Sequence, residues 1–191
     1  ERVTSDGEQE LTNGLIKVIQ GRENKVYFVQ GHGEKTTDAA DREGYSAIAS
    51  ALTSENFAHE PLVLAQQQGV PEDATVVIVA GPKTDFLEPE IDMLQQYLAR
   101  GGKLFVLLDP PDDPADPELT NLLGLIKAWG IEPGRNVVVD ASGVGQMIGT
   151  GPDVPLAASY NPHPITERFN LLTAYPYARS ITVNQEGANN R

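Results

Sequence analysis

Cysteine is missing altogether from the 191 residues of this chain. Without a thiol there is no cysteine nucleophile, no thiolate metal site and no disulfide within it. Basic residues are few as well: 14 Lys and Arg against 27 Asp and Glu leave a formal charge of -13. The 14 are scattered along the chain, which argues against nucleic acid and against direct binding to anionic lipid headgroups. No apolar run approaches the roughly 20 residues needed to cross a bilayer, and no signal-peptide pattern is present. The chain opens ERVTSDGEQE without an initiator Met, so we read it as a piece of a longer protein whose anchoring segments lie elsewhere. The lack of cysteine fits an extracytoplasmic domain and many cytosolic ones, and does not decide the compartment.

With 40% hydrophobic and 21% charged residues, the chain is long enough to bury a full core. Apolar periodicity predicts a helix over Gln9–Gln20, a strand at Val26–Gln30, a polar loop at Gly31–Arg42 and a helix at Tyr45–Glu55. A short strand at Pro61–Ala65 and a Gln-rich connector follow. TVVIVA (Thr75–Ala80) is a continuous apolar run, the pattern of a strand buried on both faces of a parallel sheet. Pro89 suits a first helical turn, and that helix carries Ile91, Leu94, Tyr97 and Leu98 on its apolar face before Gly101-Gly102 closes it. A strand at Lys103–Leu108, a helix at Glu118–Trp129 and a strand at Asn136–Asp140 continue the alternation. Residues 141–155 read as a long loop, Leu156–Tyr160 as a short segment, Thr166–Leu171 as a short helix and Ala178–Val183 as a last strand. The economical reading is one α/β domain over 1–191 with a doubly wound, mostly parallel sheet: N-terminal helix 1–24, core 25–140, remainder 141–191.

Strand endings direct attention to KVYFVQGHGE, Lys25–Glu34. A strand that stops at Gly-x-Gly places polar atoms at the carboxyl edge of a sheet, where open α/β sheets bind ligands. Gly31 and Gly33 would let backbone N–H groups approach a ligand, with His32 and Glu34 as polar contacts or an acid/base pair. A tight strand-to-loop turn explains the same residues without a ligand. No third glycine completes a dinucleotide fingerprint, and no Lys-Ser/Thr pair follows Gly143-Val144-Gly145, so no cofactor is expected. The acidic run DPPDDPADPE, Asp109–Glu118, lacks EF-hand spacing and reads as a solvated loop. Asp109 stands apart because it closes a predicted buried strand. His163, between Pro162 and Pro164, is held extended, while His59 beside Glu60 reads as ordinary surface. Two separated histidines without a third ligand leave no metal site.

Several segments together resemble one family: GEQELTNGLIKVI, KVYFVQGHGE, TVVIVAGPKTDFLEPEIDMLQQYLARGGKLFVLLDPP, NPHPITERF and YPYARSI. Roughly residues 7 to 183 are similar, in consistent order, to the auxiliary components of ABC-type transport systems, uncharacterised or associated with gliding motility. Gly-His-Gly-Glu and His-Pro-Ile-Thr are the most specific elements. The resemblance implies an extracytoplasmic domain of a protein anchored in the cytoplasmic membrane, working with ABC-transporter permease and ATPase subunits. It also implies a fold similar to class I glutamine amidotransferases, a flavodoxin-like three-layer sandwich, and to a domain of intraflagellar-transport proteins. Amidotransferase activity cannot carry over, because its nucleophilic cysteine is absent.

The leading expectation is a non-catalytic ligand- or partner-binding module. Gly31, His32, Gly33 and Glu34 form one wall of its binding edge, and Asp109 and His163 are further candidates. Two rivals stay open: a hydrolase acting on a glycan or peptide through Glu34, Asp109 and a histidine, and a scaffold with no ligand site.

Overall fold

Strand β1 (Asn24–Val29) begins half-buried and ends with four fully buried residues. It leads into a four-stranded, all-parallel sheet made with β2 (Phe57–Leu62), β3 (Ala74–Ala80) and β4 (Leu104–Leu107), in the order β2-β1-β3-β4. Helix α1 (Ser46–Ser54) connects β1 to β2, and α2 (Glu88–Ala99) connects β3 to β4. This computed structural model describes residues 24–41, 44–113, 115–141, 143, 145 and 149–184, together with Gly7, Leu11, Thr12, Gly14 and Leu15. They group into two compact units, 1–107 and 108–191, the sheet lying in the first.

The strand order fixes where ligands would approach that sheet. From β1 the chain steps one way to β2, then returns past β1 to β3 and β4. Right-handed crossovers therefore place the outward and return connections on opposite faces. Val26, Phe28, Ile78 and Ala80 pack on one face with Tyr45 and Leu52 from α1 and its start. Tyr27, Val29, Val77 and Val79 alternate to the other and are buried there. That leaves the third layer to α2, whose Ile91, Leu94 and Tyr97 are buried. β1 and β3 are buried on both faces, as their apolar runs predict, whereas β4, expected from KLFVLL to be buried, is an edge strand with Phe105 exposed, because among the described residues no further strand covers it. The winding reverses between β1 and β3, so Gly-His-Gly-Glu and Gly81-Pro82-Lys83 end the two strands that flank the switch point.

A slip in register sits at the other end of β1. Lys25 pairs with Ala74 but Val26 with Val76, so Thr75 is an extra residue on β3. The Lys25 amide donates to the Thr75 hydroxyl at 3.1 Å, which satisfies the donor that the bulge displaces. Lys25 Nζ lies 2.8 Å from Glu60 and 3.3 Å from Asp73, and the Tyr27 hydroxyl donates to Asp73 at 3.0 Å. The bonds to Glu60 and Tyr27 hold the Lys25 ammonium well above the usual lysine range. Partial burial alone would raise the Asp73 carboxyl, but hydrogen bonds from Tyr27 and Lys25 outweigh it and hold that carboxyl below its ordinary value.

In the second unit, α3 (Thr120–Ala128) buries Leu122, Leu125 and Ile126. The strands β5 (Ile131–Pro133) and β8 (Ile181–Val183) pair antiparallel, as do β6 (Leu156–Ala157) and β7 (Thr173–Ala174). Several expected elements differ. The strand expected at Pro61–Ala65 runs instead over Phe57–Leu62, where Pro61 is tolerated because β2 is an edge strand, and a 3₁₀ turn covers Leu64–Gln66. Asn136–Asp140 forms no strand. Val138 donates to the Ala178 carbonyl at 2.7 Å, but the Asn136 side chain takes the Ser180 amide and displaces a ladder bond. The helix expected at Thr166–Leu171 is absent: residues 164–168 form turns and 169–171 are irregular, because the Thr166 hydroxyl bonds back to the Asn161 and His163 carbonyls in competition with a helix. Of the expected Gln9–Gln20 helix, Leu11, Thr12, Gly14 and Leu15 are helical, and the rest, like the tail 185–191, lies outside the described residues. Among the described residues no helix is long and apolar enough to cross a membrane.

The Asp73 cluster makes a pH test. A carboxyl held low in the fold adds stability above its unfolded value and loses it as pH falls through the folded one. D73N is expected to lower the urea midpoint at pH 7, with the gap to the parent closing only as pH falls below the ordinary Asp value of about 3.9. Denaturation curves at a series of pH values measure this.

Candidate functional site

The turn that ends β1 is fastened on both sides. Gln30 N–H donates to the Leu62 carbonyl of β2 at 2.9 Å, and Lys35 N–H to the Ala80 carbonyl of β3 at 2.9 Å. The His32 carbonyl accepts from the amides of Lys83 at 2.7 Å and Thr84 at 3.0 Å. The path needs glycine: φ is +125° at Gly31 and +81° at Gly33, and a Cβ on Gly33 would stand 3.0 Å from the Lys83 Cβ.

Within this turn the His32 ring is enclosed. Its Nδ1 lies 3.0 Å from Glu34 Oε1 and its Nε2 2.9 Å from Glu90 Oε2. The other Glu34 oxygen accepts the His32 backbone N–H at 2.7 Å. Glu90 Oε2 also accepts the Leu87 N–H at 2.9 Å, so the same carboxylate caps the start of α2. The imidazole stacks on Phe86 with centroids 3.9 Å apart and planes 18° from parallel. His32, Glu34 and Glu90 are all buried.

Proton counting constrains what this trio can do. Each contact between the ring and a carboxylate needs one proton, so two protons are shared among three groups. Either an imidazolium lies between two carboxylates, or a neutral ring donates to one carboxylate and accepts from a protonated one. Both distributions carry one net negative charge. The ring has no nitrogen left over, and Glu34 has both oxygens on His32. The acid/base pair expected from the sequence is therefore engaged with itself. The carboxylates sit at different ring nitrogens and do not converge on one point. Among the described residues no group of three or more His, Asp or Glu is arranged to hold a metal.

Glu90 and Phe86 escaped the sequence reading. A signal was present: Glu90 stands at the helical spacing of Leu94 and Tyr97, putting a carboxylate on the buried face of α2. Asp109 and His163 belong to the second unit, and both are exposed. The Asp109 carbonyl accepts from Arg179 Nη1 at 3.3 Å, and desolvation holds the Arg179 guanidinium below its ordinary value. His163 Nδ1 accepts the Ile165 amide at 3.1 Å, which puts the proton of the neutral ring on Nε2. His59, expected at the surface, is half-buried on β2 with its ring 6.5 Å from and perpendicular to Phe28.

A family model described as "ABC-type uncharacterized transport system" matches residues 23–191. The chain belongs to that family. It is an auxiliary component of such a transport system, and the Gly-His-Gly-Glu turn and the His163 turn both lie within the match. Among solved structures, the mmIFT52 N-terminal domain is similar at a TM-score of 0.66 and 19% identity, over 84% of this chain and 68% of that one. At that identity the likeness concerns the fold, and it agrees with the α/β class. No curated protein matches the chain.

The enclosed ring predicts the stability of this auxiliary component. H32A leaves two carboxylates buried without their partner and is expected to cost about 3–5 kcal/mol. G33A is expected to cost at least about 1 kcal/mol from the left-handed backbone alone. H163A, at an exposed site, should stay within about 0.5 kcal/mol of the parent. Urea denaturation of the three variants measures the order.

Proposed function

We propose that this auxiliary component is a non-catalytic recognition module, held on the extracytoplasmic side by a membrane-anchored protein and working with the permease and ATPase of the transport system. The observation that carries this reading is the buried His32–Glu34–Glu90 trio at the switch point, in which both ring nitrogens and both Glu34 oxygens are bonded within the trio. A general acid or base needs a free position within reach of its substrate. Glycoside hydrolysis needs two carboxylates facing a cleft that also admits substrate or water. Here the carboxylates face an imidazole, and the strand ends that would frame an active site are bonded to each other. The edge is thus a rigid surface of fixed backbone, suited to positioning a partner. The amidotransferase-like, gliding-associated setting implied by the sequence resemblance is compatible with it and adds no catalytic group.

Two measurements test the reading. The chain has no cysteine, so one introduced at exposed Gln68 reports its side of the membrane in an otherwise cysteine-free full-length protein. A membrane-impermeant maleimide is expected to label Q68C in intact cells; labelling only after lysis sinks the extracytoplasmic assignment. E90Q keeps an acceptor for the ring and removes the acid. At equal folded abundance it is expected to co-purify with the permease and to restore transport as the parent does. Loss of transport by a folded, complex-forming E90Q would show that the trio performs chemistry.

A further inference from the structure

The second unit contains an open recess of about 810 Å³, lined by residues between Ala158 and Asn170. That is within the roughly 300–1,000 Å³ of small-molecule sites. Its chemistry is one-sided. Tyr160 and Phe169 line it as a perpendicular pair, centroids 5.2 Å apart and planes at 77°. Glu167 adds a carboxylate, and neither lysine nor arginine is among the lining residues. His163, which also lines it, has its Nδ1 occupied by the Ile165 amide.

The walls are held from below. The Tyr160 hydroxyl bonds to Thr173 Oγ1 on β7, and Thr166 ties the Asn161 and His163 carbonyls. In a perpendicular pair the edge of one ring covers part of the other's face, so a ligand in the corner meets the open face of one ring and the uncovered margin of the other, and a carboxylate beside them favours positive charge further. The surrounding protein, at -13, attracts cations and repels anions. Phosphates, carboxylates and nucleotides do not suit such a wall.

We propose that this recess binds a small organic ammonium ion, with the cationic head against Tyr160, Phe169 and Glu167 and the polar tail along Asn161, His163 and Asn170. The proposal goes beyond the recognition role of the His32 edge and does not depend on it.

Choline and its uncharged isostere 3,3-dimethyl-1-butanol separate charge from shape. Titrated into the 191-residue chain and followed by amide chemical shifts, choline is expected to give saturable changes centred on Tyr160–Asn170. The isostere should bind about tenfold more weakly, the size of a partly desolvated cation–π and carboxylate contribution. E167Q, a change at an exposed residue, should weaken choline several-fold, and F169L more, with the remaining spectrum unchanged. Equal binding of choline and isostere would make the recess merely apolar and overturn the proposal. So would the absence of any saturable shift with choline, or shifts produced by a neutral disaccharide such as cellobiose and not by choline. None of these results bears on labelling at Q68C or co-purification of E90Q, so the two proposals fail separately.

Discussion

One imidazole joins the parts of the first unit that the chain makes separately. His32 leaves the end of β1, takes Glu34 from its own turn and Glu90 from the first turn of α2, and lies flat on Phe86. Its carbonyl meanwhile holds the loop that leaves β3. Two protons spread over three buried groups give a net charge that is the same in either arrangement. Taking charge out of water is costly, and the cost is offset only while every partner is in place. Glu90 also sits in the first turn of α2, where the helix dipole and the Leu87 amide favour a carboxylate. The cluster therefore sets the spacing between the switch-point loops and the start of α2, and with it the shape of the whole carboxyl edge.

That arrangement separates reactive residue types from accessible ones. His32, Glu34 and Glu90 are turned inward and occupied with one another. The second unit exposes its chemistry: a histidine with one tautomer fixed, an aromatic corner, and large side chains at Ile165, Leu171, Tyr175 and Tyr177 that face solvent. The recognition role proposed above for this member of a transport-system family would rest on surfaces. A rigid edge on one unit and an open recess on the other are two such surfaces, built from different physics.

Much of the first unit was legible because burial on both faces leaves an unmistakable trace. VYFV and TVVIVA are apolar runs, the first reaching Gly31 after Gln30 and the second running directly into Gly81, where the backbone turns. The edge strand β2 was shifted in the reading because FAHEPL is half-exposed and carries a proline, so its composition resembles a loop. The second unit was harder. Its strands are two or three residues long, and side chains such as Asn136 and Thr166 decide locally whether a ladder or helix continues. The site was half legible: Gly-His-Gly-Glu announced itself, whereas Glu90, 58 residues from His32, read as one more acid in a helical first turn.

The sequence by itself determined the parallel α/β class, the absence of cysteine thiols from this chain, and the place where β1 ends in a polar turn. These follow from composition and periodicity, which act locally and survive without knowledge of contacts. Only the tertiary structure decided that His32 and Glu34 form a closed cluster with Glu90 rather than an open acid/base pair. The strand order decided it, since β3 must lie beside β1 before the start of α2 can reach the ring. The difference between a poised group and a satisfied one is a matter of about 3 Å between atoms far apart in the chain, and periodicity carries no record of it.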